Sequence, residues 1–143
     1  MKLLENMTTV NFPGKFESLS KISKFVANAA KKAGLGDKAT YAVQLAVDEA
    51  CSNIIEHSYR GEGIGDIQFT CQVSDHDLTV ILRDHGYPFK PEGVPEPKKN
   101  AALKNLPPRG AGLYLMRKLM DKVNFEFTAD SGNVLTMVKY KDK

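Results

Sequence analysis

The stretch "IQFTCQV", Ile67 to Val73, alternates apolar and polar residues without a break. Ile67, Phe69, Cys71 and Val73 fall on one side, Gln68, Thr70 and Gln72 on the other. Successive strand side chains point to opposite faces, so this pattern describes a half-buried strand with one face on a core. "SDHD" then makes a tight turn into "LTVILRD", Leu78 to Asp84, and the two runs read as a hairpin. An apolar sheet face needs a covering layer, and that requirement sets the fold class.

The cover is found upstream. "TTVNFP", Thr8 to Pro13, reads as a short strand stopped by Pro13 and Gly14. From Ser18 to Ala33, the residues Leu19, Ile22, Phe25, Val26, Ala29 and Ala33 recur at helical spacing, and Gly34 is placed to cap the helix. Asp37 is the expected N-cap of a second helix running to about Tyr59. Downstream, "LYLMRKLMD" has helical spacing, and "VNFEF" and "VLTMVKY" form a last strand pair across the turn "ADSGN". No internal repeat or second core-forming block interrupts the chain. The expectation is one domain over residues 1–143, α+β, with a two-layer arrangement: a mostly antiparallel mixed sheet with helices on one face.

Composition narrows the function classes. Hydrophobic residues at 42% and charged residues at 26% suit a globular chain, not a disordered one. Apolar runs fall well short of the roughly 18 residues needed to cross a bilayer, and "MKLLENMTTV" lacks a signal peptide's apolar stretch, so no membrane and a cytoplasmic location are expected. Two cysteines, Cys51 and Cys71, make no disulfide framework and read as buried thiols. A net charge of +3 with dispersed basic residues and few aromatics gives no support to direct nucleic-acid binding.

Three stretches depart from plain core patterning. In "VDEACSNIIEH", Glu49, Asn53 and His57 are each four residues apart, a spacing that returns to nearly the same helix face, about 40° round and roughly 6 Å along. In "RDHGYPF", Asp84 ends an apolar strand and so is partly buried, Gly86 permits close backbone approach, and Phe89 is placed to cover the resulting pocket. A buried carboxylate needs donors, and an adenine amino group is one. In "RGAGLYLMRKLMD", Gly110 and Gly112 are read as preceding a helix, where main-chain N–H groups and the helix N-terminus attract an anion. No GxxxxGK[ST] is present, which excludes a P-loop, and no βαβ unit opens with GxGxxG. Between the second and third stretches, Gly86 to Gly112 holds six of the seven prolines, which predicts a functional loop.

In this order the three stretches resemble the N, G1 and G2 boxes of the GHKL ATPases, and the resemblance covers roughly Ser18 to Tyr140. "LAVDEACSNIIEHSYRGEG" and "GAGLYLMRKLMDKVNF" look specifically like the anti-sigma-factor serine/threonine kinases. The resemblance implies the Bergerat ATP-binding fold, ATP/ADP and Mg²⁺ as cofactors, Glu49 as general base and Asn53 as magnesium ligand. It implies Asp84 as the adenine-binding aspartate with Gly86 beside it, Gly110 and Gly112 at the phosphates with Leu113 opening the helix, and an ATP lid at about 90–108. Arg109 is a candidate phosphate contact, balanced against a solvated lid arginine, and His57 is read as a rim or structural residue. Implied partners are a sigma factor or similar regulator and a small antagonist protein phosphorylated on Ser or Thr. A homodimer is expected from the resemblance alone. The alternative is an ATP-binding module that sequesters a partner without phosphorylating it. One departure stands out: relatives commonly carry a Thr shortly after the last turn's glycine, supporting the aspartate. Val134 takes the expected position, with Thr136 two residues on.

Overall fold

The computed structural model describes residues 6–89 and 108–141. Strand β1 (Met7–Pro13) leads through a 3-10 turn (Phe16–Ser18) into α1 (Leu19–Lys32) and α2 (Asp37–Asn53), which continues as a π-helical turn (Ile54–Ser58). The hairpin β2 (Asp66–Val73) and β3 (Asp77–Asp84) follows, then α3 (Pro108–Leu119), β4 (Lys122–Thr128) and β5 (Gly132–Tyr140).

The strands form one five-stranded sheet in the order β1-β2-β3-β5-β4, and each neighbouring pair is antiparallel. Among the described residues there is therefore no parallel pair, where a mixed sheet was anticipated. The α+β two-layer expectation holds. Ile67, Phe69, Cys71, Leu78, Val80, Leu82, Leu135 and Met137 supply the buried sheet face, met by Ile22 and Val26 of α1, Val43, Ala46 and Val47 of α2, and Met116 of α3. Phe12, Phe25 and Phe69 meet edge-to-face, with ring centroids 5.7 to 6.4 Å apart, and close the core at the β1 end. Both thiols are buried and free, and burial pushes the Cys71 thiol up to about 12.

Helix ends follow local chemistry, with one correction. Gly34 (φ 78°) ends α1: its N–H bonds to the Lys31 carbonyl and that of Leu35 to the Ala30 carbonyl, the paired bonds of a Schellman motif. The N-cap of α2 is Gly36, not Asp37. Gly36 has extended backbone and its carbonyl accepts the Thr40 N–H, so Asp37 is the first helical residue, where its charge still favours the helix N-terminus.

Candidate nucleotide site

The C-terminal end of β3 delivers Asp84 to the helical face, and the side chain is only 2% exposed. Its Oδ1 accepts the Gly86 N–H at 2.9 Å and the Asn133 side-chain N–H at 3.0 Å, and Ser58 lines the same cavity. Burial pushes this carboxyl above the ordinary carboxylate range, while Asn133, Gly86, His85 and Ser58 pull it back. Asn133 is held in turn, donating to the Tyr87 carbonyl at 2.8 Å and accepting the Phe89 N–H at 2.8 Å. Gly86 is required by space: a Cβ there would lie 2.3 Å from the Ser58 carbonyl oxygen.

The π-helical turn changes the polar row. Tyr59 N–H bonds to the Ile54 carbonyl, a five-residue step, so beyond Asn53 the spacing is five and not four. Ser58 therefore takes the place below Asn53 that His57 was expected to hold. A cavity of about 30 Å³ is lined by Asn53, Ser58, Asp84, Phe89, Met116 and Asn133, among others, and His57 is not among its walls. The His57 ring is partly exposed, with Nε2 3.9 Å from the Glu56 carboxylate. This cavity has room for about one water. Phe89, its ring tilted 50° against Phe125 with centroids 4.6 Å apart, forms part of its wall, as the sequence suggested.

One turn before Asn53, Glu49 faces α3. A Cβ added to Gly112 would sit 3.0 Å from Glu49 Oε2 and 3.8 Å from Asn53 Nδ2. A carboxylate and an amide oxygen are hard donors suited to Mg²⁺, and the described residues hold no cluster of three or more His, Cys, Asp or Glu that would form an all-protein metal cage.

Residues 12–139 match the family of histidine kinase-like ATPase domains. The chain belongs to that family. It is 29% identical over 147 residues to the serine-protein kinase RsbW of Bacillus licheniformis, covering 100% of this chain and 91% of the relative. It is also 29% identical over 135 residues to RsbW of Bacillus mycoides, covering 92% and 82%. The fold matches the RsbU and RsbW domains of Rv1364c from Mycobacterium tuberculosis with a TM-score of 0.66 at 13% identity, over 96% of this chain and 33% of that one. The catalytic domain of histidine kinase ThkA gives a TM-score of 0.56 at 16% identity, over 94% and 97%.

Within this histidine kinase-like ATPase, three sequence expectations need correction. Neither Val134 nor Thr136 supports Asp84. In the sheet register Asp84 lies opposite Asn133, while Val134 faces Arg83 and Thr136 faces Ile81. Both face away from the core that holds Asp84, and the Asn133 amide fills the supporting role. The buried run Asn133, Leu135 and Met137 is the signal that could have revealed this, because residues two apart share a face. Gly110 and Gly112 do not precede the helix: α3 begins at Pro108, a residue suited to a first helical position, and both glycines lie inside it. Leu113 does not open the helix either; it is buried within it. Gly112 instead lets α2 and α3 approach with the Glu49 carboxylate between them. The Arg109 side chain and the proline-rich segment expected to form an ATP lid, from residue 90 up to the start of α3, lie outside the described residues.

Proposed function

We propose that this chain is a magnesium-dependent protein serine/threonine kinase of the anti-sigma type, acting in the cytoplasm. It binds a sigma factor or similar regulator and phosphorylates a small antagonist protein. The observation that carries the reading is the placement of Glu49 beside Asn53, one helical turn from the wall of the Asp84 cavity. A module that only binds nucleotide has no use for a carboxylate there.

In this reading Asp84 accepts the adenine amino hydrogen, and Gly86 and Asn133 hold the carboxylate in place. Admission of the base requires the Phe89 ring to leave the cavity. The triphosphate runs towards Asn53 and the first turn of α3, where unsatisfied main-chain N–H groups favour negative charge. Asn53 would hold a magnesium ion, which when bound would supply neutralisation of the phosphate charge. Glu49 takes the proton of a Ser or Thr hydroxyl as its oxygen attacks the γ-phosphorus, the bond to the β-bridging oxygen breaks, and ADP leaves. The similarity to the RsbW serine-protein kinases supports phosphotransfer to a protein serine.

The test is incubation of the purified protein with labelled ATP and candidate antagonist and sigma-type proteins, following phosphate transfer and complex formation together. Transfer to a Ser or Thr of one partner is expected. Complex formation with ATP bound and no transfer to any partner would replace the kinase by the partner-sequestering module.

A further inference from the structure

The sheet face without helices carries a second cavity, far larger than the one at Asp84. It measures about 720 Å³. Its floor is a row of cross-strand neighbours, Asn11, Gln68 and Arg83, and its walls include Tyr59, Ile64, His85 and Tyr87. Arg83 forms no ion pair among the described residues, and its Nε is buried with no hydrogen-bond partner. A buried guanidinium donor left unpaired is costly, so such an atom calls for a ligand. A second guanidinium stands beside the groove: Arg60, in the left-handed backbone region (φ 61°), lies over the Tyr87 ring at 3.8 Å. Among the described residues, Asp66 is the only carboxylate on the groove's walls.

We propose that this groove binds an extended acidic segment of a partner protein, with a Glu or Asp carboxylate seated on Arg83. Arg83 presents a planar fork of donors matched to a carboxylate. The Asn11 and Gln68 amides offer both donors and acceptors to a peptide main chain, and the Tyr59, Ile64 and Tyr87 walls accommodate its apolar side chains. Asp66 favours a singly charged carboxylate over a doubly charged phosphate. Gly86 and Ser58, which touch Asp84, also line the groove. Arg83, Asn11 and Gln68, on which the proposal rests, have no part in the nucleotide reading, so its failure is distinguishable from that of the kinase reading.

The test is an NMR titration of the full chain, reading the Arg83 Nε–H resonance and the Tyr87 amide. The probes are a capped Val-Glu-Val-Glu-Val peptide, the same peptide with glutamine for glutamate, and inorganic phosphate. The glutamate peptide is expected to shift both signals at millimolar concentration, at least about tenfold more tightly than the glutamine peptide. Arg83→Gln should abolish the response. So should Gln68→Glu, which sets a carboxylate directly across from Arg83 and fills its place from within. The second variant guards against misfolding of the first, and amide spectra report the fold of each. Equal binding of the glutamine peptide, or phosphate binding where the glutamate peptide does not, overturns the proposal. So does a silent Arg83 Nε–H with every probe.

Discussion

Asn133 and Asp84, 49 residues apart in the chain, face each other across β5 and β3 and share a hydrogen bond of 3.0 Å between Nδ2 and Oδ1. The same amide holds the Tyr87 carbonyl and the Phe89 N–H, so one side chain fixes both the carboxylate and the segment that covers it.

Asp84→Asn should separate stability from binding. ADP affinity, measured by titration calorimetry, should fall by about 1.5–3 kcal/mol, the range for a hydrogen bond to a charged group. Unfolding of the ligand-free protein should respond in the opposite sense. The Asp84 carboxyl is raised on folding, so the folded state holds its proton to higher pH than the unfolded state does. Wild-type stability relative to Asp84→Asn should therefore decrease as pH rises from the ordinary carboxylate value to the raised one, and level off above it. Unchanged ADP affinity would move the pocket elsewhere.

Asn133→Ala leaves the buried Asp84 short of a donor and removes the Asn133 bonds to the Tyr87 carbonyl and the Phe89 N–H. Urea denaturation should show a loss of about 1–3 kcal/mol. Asn133→Thr, which restores a short hydrogen-bonding side chain, should recover part of it. A neutral Asn133→Ala would mean that water replaces the amide without cost.

Asn53→Ala should remove the magnesium dependence of ATP binding. In the wild type, ATP should bind more tightly with Mg²⁺ than with excess chelator, and the variant should bind equally under both conditions. A wild type indifferent to chelator would end the assignment.

Glu49→Gln and Gly112→Ala attack the same carboxylate from two sides. The first keeps its shape and removes the base, and single-turnover transfer should slow roughly 10²–10⁴-fold while nucleotide binding persists. The second leaves the base but pushes a methyl to within 3.0 Å of Glu49 Oε2. Ala is the better helix former by about 1 kcal/mol, so the thermal midpoint should hold or rise while transfer falls. Transfer at the wild-type rate in both variants would exclude Glu49 as the base.

The sequence by itself determined whatever rests on local periodicity. The alternation in β2 and β3 fixed a half-covered hairpin, the helical spacing of α1 and α2 supplied its cover, and Asp84 at the end of an apolar strand announced a buried carboxylate. Three matters were decided only by tertiary structure. The turn after Asn53 widens to π geometry, which no residue spacing announces, and this places Ser58 rather than His57 against Asp84. The start of α3 at Pro108 turned two expected loop glycines into helical ones, because Gly112 is a point of contact between helices and not a turn. The partner of Asp84 depended on the register of β5 against β3. A shift of one residue sends every side chain of a strand to the other face, so the choice between Asn133 and Val134 belongs to the assembled sheet.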